Sequence, residues 1–121
     1  MTREFYGATV EAQRSINKLL SLPASGREQD WEFELADPNR LGEILMAASA
    51  NELSFEEKCA LSLLIVASIE EASELEPIHQ VMNEQAKGIL RQDADVLDAM
   101  KFYWIEQGRA TNEELVREML L

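Results

Sequence analysis

The chain has 121 residues, 46% of them hydrophobic and 28% charged, which suffices for one buried core and argues against wholesale disorder. Eleven lysines and arginines stand against 23 aspartates and glutamates, giving a formal net charge of −12 at pH 7 and a pI near 4.4. Such a field repels nucleic acid and anionic membrane surfaces and draws basic partners from a distance.

The sequence opens on "MTREFYGATVEAQRS", which lacks the apolar centre of a signal peptide, and no stretch approaches the roughly 18 apolar residues of a membrane span. Cys59 is the single cysteine, so no intramolecular disulfide forms. Its apolar surroundings read as a core thiol in a reducing, cytoplasmic protein. Phe5, Thr9, Ala12, Ile16, Leu19 and Leu20 recur at spacings of three and four, predicting a first helix over about 3–22. Pro23, Ser25 and Gly26 end it in a loop. Trp31, Glu32, Phe33, Glu34 and Leu35 then alternate apolar and acidic, the pattern of an extended segment with the apolar side chains inward and Glu32 and Glu34 outward. Asp37 is a good helix N-cap with Pro38 at the first helical position, leading to a stripe of Leu41, Ile44, Leu45 and Ala48.

"SFEE", Ser54 to Glu57, is a capping box, and the residues from 59 to 69 that follow are apolar almost all round, as in a helix at the centre of a bundle. Pro77 opens the next helix, with Ile78, Val81, Met82, Ile89 and Leu90 on one side. Asp93 caps another, in which Val96, Leu97, Met100, Tyr103 and Trp104 share a face, Phe102 turns outward and Gly108 fits the C-terminal end. "TNEE", Thr111 to Glu114, is a second capping box before Leu115, Val116, Met119 and Leu120. The expectation is an all-α, single-domain bundle over 1–121 of about six helices, with a short α-solenoid as the alternative.

Catalytic constellations are scarce. His79 is the only histidine; Glu76-Pro-Ile-His79 has the Glu-x-x-His spacing of di-iron bundles, but a second copy is missing and Pro77 interrupts this one. There is no Gly-x-Ser-x-Gly and no Gly-rich phosphate loop. The expectation is therefore no enzyme, no catalytic residue, no cofactor and no metal. The oddity is electrostatic: "SIEEASELEP" crowds Glu70, Glu71, Glu74 and Glu76 at the C-terminal end of the central helix, where the macrodipole is already negative. Glu70 and Glu74 also repel each other four residues apart, and no lysine or arginine occurs between 59 and 86. Two readings account for that composition: a solvated helix end that tolerates the cost, and an acidic surface kept for a basic partner at some loss of local stability.

"DWEFELADPNR", "LSFEEKCALSLLIVASIEEA" and the aromatic "KFYW" together resemble a group of small acidic bacterial immunity proteins, encoded beside toxins of contact-dependent growth-inhibition and related polymorphic systems. The matching positions are Trp31, Glu32, Glu34, Leu35, Ala36, Asp37 and Pro38, then Leu53, Ser54, Glu57 and Lys58, then Ala67, Ser68, Glu70, Glu71, Tyr103 and Trp104. The match spans about 29–104. It departs from the group's pattern in its glutamate pair, where aspartates are usual, and in Ala72, where an aromatic is usual. The resemblance implies a cytoplasmic toxin inhibitor that blocks a cognate, basic, nuclease-type toxin domain stoichiometrically and without catalysis. The expected partner-binding residues are Glu32, Glu34, Glu70, Glu71 and Glu74, with Phe102 as an apolar anchor. No nucleic-acid or membrane partner is expected, and no oligomeric state is assigned. The alternative is a small acidic adaptor or secretion chaperone with a protein client.

Overall fold

A helix apolar on every face must be enclosed on every face, and the chain is arranged around that requirement. The computed structural model describes residues 4–75 and 80–121, and among them are seven α-helices and no strand. They are α1 Val10–Leu20, α2 Trp31–Glu34, α3 Leu41–Ala50, α4 Phe55–Leu75, α5 Gln80–Leu90, α6 Ala94–Lys101 and α7 Glu113–Leu120. A 3-10 turn, Pro38–Arg40, leads into α3, and α6 passes into a π-turn, Phe102–Glu106. Every residue of α4 from Cys59 to Glu70 is buried. Helices α1, α2, α3, α6 and α7 all pack on α4, while α5 lies against α3 and α7. A solenoid would confine contacts to neighbours in sequence, so the fold is a bundle about one central helix.

Capping chemistry sets most boundaries. The Ser54 N–H donates to Glu57 Oε1 at 2.9 Å and the Glu57 N–H to Ser54 Oγ at 3.2 Å, closing the expected capping box. The Ser54 backbone N–H, and after it the Ser54 hydroxyl, hold the Glu57 carboxyl below its ordinary pKa. Asp37 accepts the Asn39 N–H and Asp93 the N–H groups of Asp95 and Val96, as expected of caps. Gly108 takes the left-handed conformation, φ 66°, that ends the π-turn.

Three expectations are corrected. The first helix starts at Val10, not near residue 3, because the Thr9 hydroxyl caps it by accepting the Ala12 N–H at 3.1 Å. Phe5 reaches the core from outside any helix, edge-on to Tyr103. The stretch at 31–35 is a helical turn rather than extended: the Asp30 carbonyl accepts from Phe33 and Glu34, and the Trp31 carbonyl accepts from Leu35. Trp31 and Leu35, four apart, face the core together, and five residues are too few to separate a period of 2 from one of 3.6. At the last helix the cap is Asn112, one residue beyond the expected Thr111, accepting the Leu115 N–H.

The segment around α2 is tied to the bundle at several points. Trp31 Nε1 donates to Asn17 Oδ1 of α1 at 2.8 Å, and the Asp37 N–H donates to the buried Ser68 hydroxyl of α4 at 3.1 Å. Arg40 reaches the Leu20 carbonyl at the end of α1 and pairs with Glu43. Trp104, the other fully buried tryptophan, makes no hydrogen bond through its indole N–H. Trp31→Phe should therefore destabilise by about 1 kcal/mol more than Trp104→Phe, since only the first breaks a made bond. Urea denaturation of the two variants measures the difference, and equal losses would show that the Asn17 bond contributes nothing net.

Candidate partner-binding surface

The two acidic segments adjoin. A recess of about 250 Å³ is lined by Phe33 and Ala36 from the α2 segment, by Ala67, Glu70 and Glu71 from α4, and by Thr111 ahead of α7. That volume lies below the roughly 300–1,000 Å³ of small-molecule sites. Its walls are apolar apart from the two glutamates and Thr111, a form suited to the stem and charged head of one long basic side chain.

The carboxylates brought to this region divide by burial. Glu32 is buried, contrary to the expectation that it faces out. Its Oε1 accepts the Tyr103 hydroxyl proton, joining α2 to the π-turn. Burial, and then the bond to Glu32, push the Tyr103 phenol well above its ordinary pKa. Glu70 is also buried rather than presented to solvent, at 4% exposure. Its Oε2 accepts the Asn112 N–H at 2.6 Å, at the N-terminus of α7. In a capping box that backbone donor belongs to an acid in the same helix; here position N3 is Leu115, and Glu70 serves from α4. A carboxylate unfavourable at the C-terminal end of its own helix thus sits at the positive end of another.

Glu71 is exposed and remains on the surface of the recess. Glu34 is exposed too, although its Oε2 accepts the Asp30 N–H at 2.9 Å. Phe102 is half-buried, edge-on to Tyr6 with ring centroids 5.3 Å apart. Tyr6 itself is 66% exposed, so it, not Phe102, offers the larger aromatic surface. Tyr6 is not legible as a surface aromatic in the sequence, because the spacing of three and four from Phe5 to Leu20 reads residue 6 as part of a helix, whereas the helix begins only at Val10. Arg109 lies over the Tyr103 ring at 5.4 Å, and Phe33 and Tyr103 both stand edge-on to Trp104. The side chain of Glu74, and Glu76, Pro77 and His79 entirely, lie outside the described residues.

Among the described residues no group of three or more metal-ligating side chains is gathered, and no helix is long and apolar enough to cross a membrane. Ion pairs among the described residues join Arg40 to Glu43, Lys58 to Asp93, Lys87 to Glu84 and Glu118, and Arg117 to Glu113. No protein-family model matches the sequence, and neither a curated protein nor a solved structure matches the chain.

Two predictions separate scaffold acids from surface acids. Glu70→Gln should destabilise by about 1–2 kcal/mol, through loss of a charge-assisted bond at a helix N-terminus, while Glu71→Gln stays within about 0.5 kcal/mol of the parent. Thermal or urea unfolding decides this, and equal costs would remove the structural role of Glu70. Tyr103 supplies the second. Its folded pKa is raised above the unfolded value of about 10, so the contribution of the neutral phenol is complete below that pH and is lost as pH rises beyond it. Stability should fall above pH about 10 in the parent but less steeply in Tyr103→Phe, which itself costs about 2 kcal/mol at neutral pH by stripping the buried Glu32 of a donor. Parallel slopes in the two proteins would exclude Tyr103 as the titrating group.

Proposed function

We propose that this chain is an immunity protein: a non-catalytic inhibitor that binds a cognate basic toxin domain, of nuclease type, and blocks it stoichiometrically. The observation that carries the reading is Glu71, an exposed carboxylate beside an apolar-walled recess in a stretch without a lysine or arginine from 59 to 86. The surrounding net charge of −12 supports it, because long-range attraction speeds encounter with a basic cleft and orients it. In this reading Glu71 and Glu34 receive basic side chains, and the Tyr6–Phe102 pair adds an aromatic anchor of the kind that dominates interface energetics. Glu32 and Glu70 have no part in it beyond holding the scaffold. The protein acts in the cytoplasm, where the toxin would reach its substrate.

A second reading, an acidic adaptor or secretion chaperone, draws on an uncharged groove between α3 and α5. The two differ in the charge of the partner.

Co-expression with the reading frame next to the gene tests the proposal. Growth arrest by that product should be relieved by the parent chain. Relief should be lost with the double charge reversal Glu34→Lys/Glu71→Lys, whose fold should remain intact because both side chains are exposed. The association rate should fall steeply with added salt, from as high as about 10⁸–10⁹ M⁻¹s⁻¹ at low ionic strength. A neighbouring product that is not toxic, or undiminished protection by the double variant, would overturn the reading.

A further inference from the structure

The polar side chains buried among the described residues are Glu32, Ser68 and Glu70, each bonded across elements, and Ser62. Ser62 is only 5% exposed, in the middle of the buried run of α4, and among the described residues nothing hydrogen-bonds its hydroxyl. It opens instead on a pocket of about 160 Å³ walled by α3, α4, α5 and α6. A buried polar group without a partner calls for an occupant. The pocket is close in size to the roughly 150 Å³ cavity that accepts benzene, and well short of sites for larger ligands. Its inner walls are otherwise apolar: Leu61 and Val96 are buried, and Leu53 and Ile89 are half-buried.

The charged groups of the pocket already have partners. Lys58 Nζ lies 3.2 Å from Asp93 Oδ2, and Asp93 Oδ1 accepts the Asp95 and Val96 N–H groups at the start of α6. A charged ligand would compete with this pair and find no free counter-charge inside an apolar pocket. Asn51 and Gln92, the remaining polar lining residues, are exposed to water. The interior therefore offers one hydroxyl, able both to donate and to accept, set against an apolar wall. We infer that this pocket binds a small uncharged molecule of the phenol class, a benzene-sized apolar body carrying one hydroxyl. The body lies between Leu61, Ile89 and Val96, and its hydroxyl pairs with Ser62. The site shares no residue with the acidic recess, so it does not depend on the immunity reading.

The probes are phenol, its isostere toluene, in which a methyl replaces the hydroxyl, and the ions benzoate and benzylammonium. Titration of the full chain is followed by the NMR shifts of the Leu61 and Val96 methyl groups. Phenol should saturate with a dissociation constant of about 1 mM or tighter, and neither ion should move those methyls. Ser62→Ala, which breaks no bond in the free protein, should leave the melting temperature unchanged or higher. It should also shift the ratio of phenol to toluene affinity about tenfold toward toluene, a readout that a merely structural serine would not move. Ala48→Leu, at a half-buried position of α3, should fill the pocket and weaken both ligands about tenfold or more. Failure of phenol to saturate by about 10 mM, a ratio unchanged in Ser62→Ala, or an ion bound as tightly as phenol would each overturn the inference. N-acetyltyrosinamide binding as tightly as phenol would assign the pocket to a tyrosine of another protein and overturn the free-ligand reading.

Discussion

Enclosure of α4 is the constraint on which the other elements depend. Its residues from Cys59 to Glu70 have no solvent face, so five helices must wall it, and the polar groups carried into that wall need partners inside it. The bonds that answer this need cross between elements. Ser68 accepts from the Asp37 backbone, Glu32 from Tyr103, and Glu70 from the Asn112 backbone. Each fixes a short segment that could not hold its own conformation: a single turn at α2, a π-turn after α6 and the start of the eight-residue α7. The bundle is therefore specified by apolar burial and registered by a few buried polar contacts.

The surplus of acid takes on a different meaning once burial sorts it. Four glutamates in two segments look alike in sequence, yet Glu32 and Glu70 are internal acceptors while Glu34 and Glu71 stay in water. Glu70 and Glu71 are neighbours that α-helical geometry sends about 100° apart, one toward α7 and the other outward. A partner would then meet fewer charges than composition suggests, set against the apolar walls of Phe33, Ala36 and Ala67. Apolar walls around a few charges lower the local dielectric and strengthen each pairing, so a small number of contacts can carry much of the affinity.

Much of the fold was legible. The apolar run of α4, the Ser54–Glu57 box and the caps at Asp37 and Asp93 are local signals, and local chemistry decides them. What escaped the sequence was tertiary. The pattern at 31–35 suits a strand or a helical turn equally, and the choice is made by Tyr103, some seventy residues away, which accommodates Glu32 on the inner side. The cap of α7 lies one residue beyond the Thr111 that the local pattern offers, and the acceptor of its backbone N–H comes from α4, not from the following turn. The adjacency of the two acidic segments followed from packing α2 on α4. Which acids of each segment turn inward depended on donors that no spacing rule reveals.

Amide hydrogen exchange at Asn112 tests most directly whether the buried acids belong to the scaffold. Asn112 is itself exposed, but its N–H is held by the buried Glu70 carboxylate, so this cap amide should exchange more slowly than an exposed loop amide. In Glu70→Gln the protection should fall, and in Glu71→Gln it should not. Exchange of Asn112 at the rate of an exposed loop amide in the parent protein would mean that Glu70 is not committed to α7 and that the division of acids between scaffold and surface is wrong.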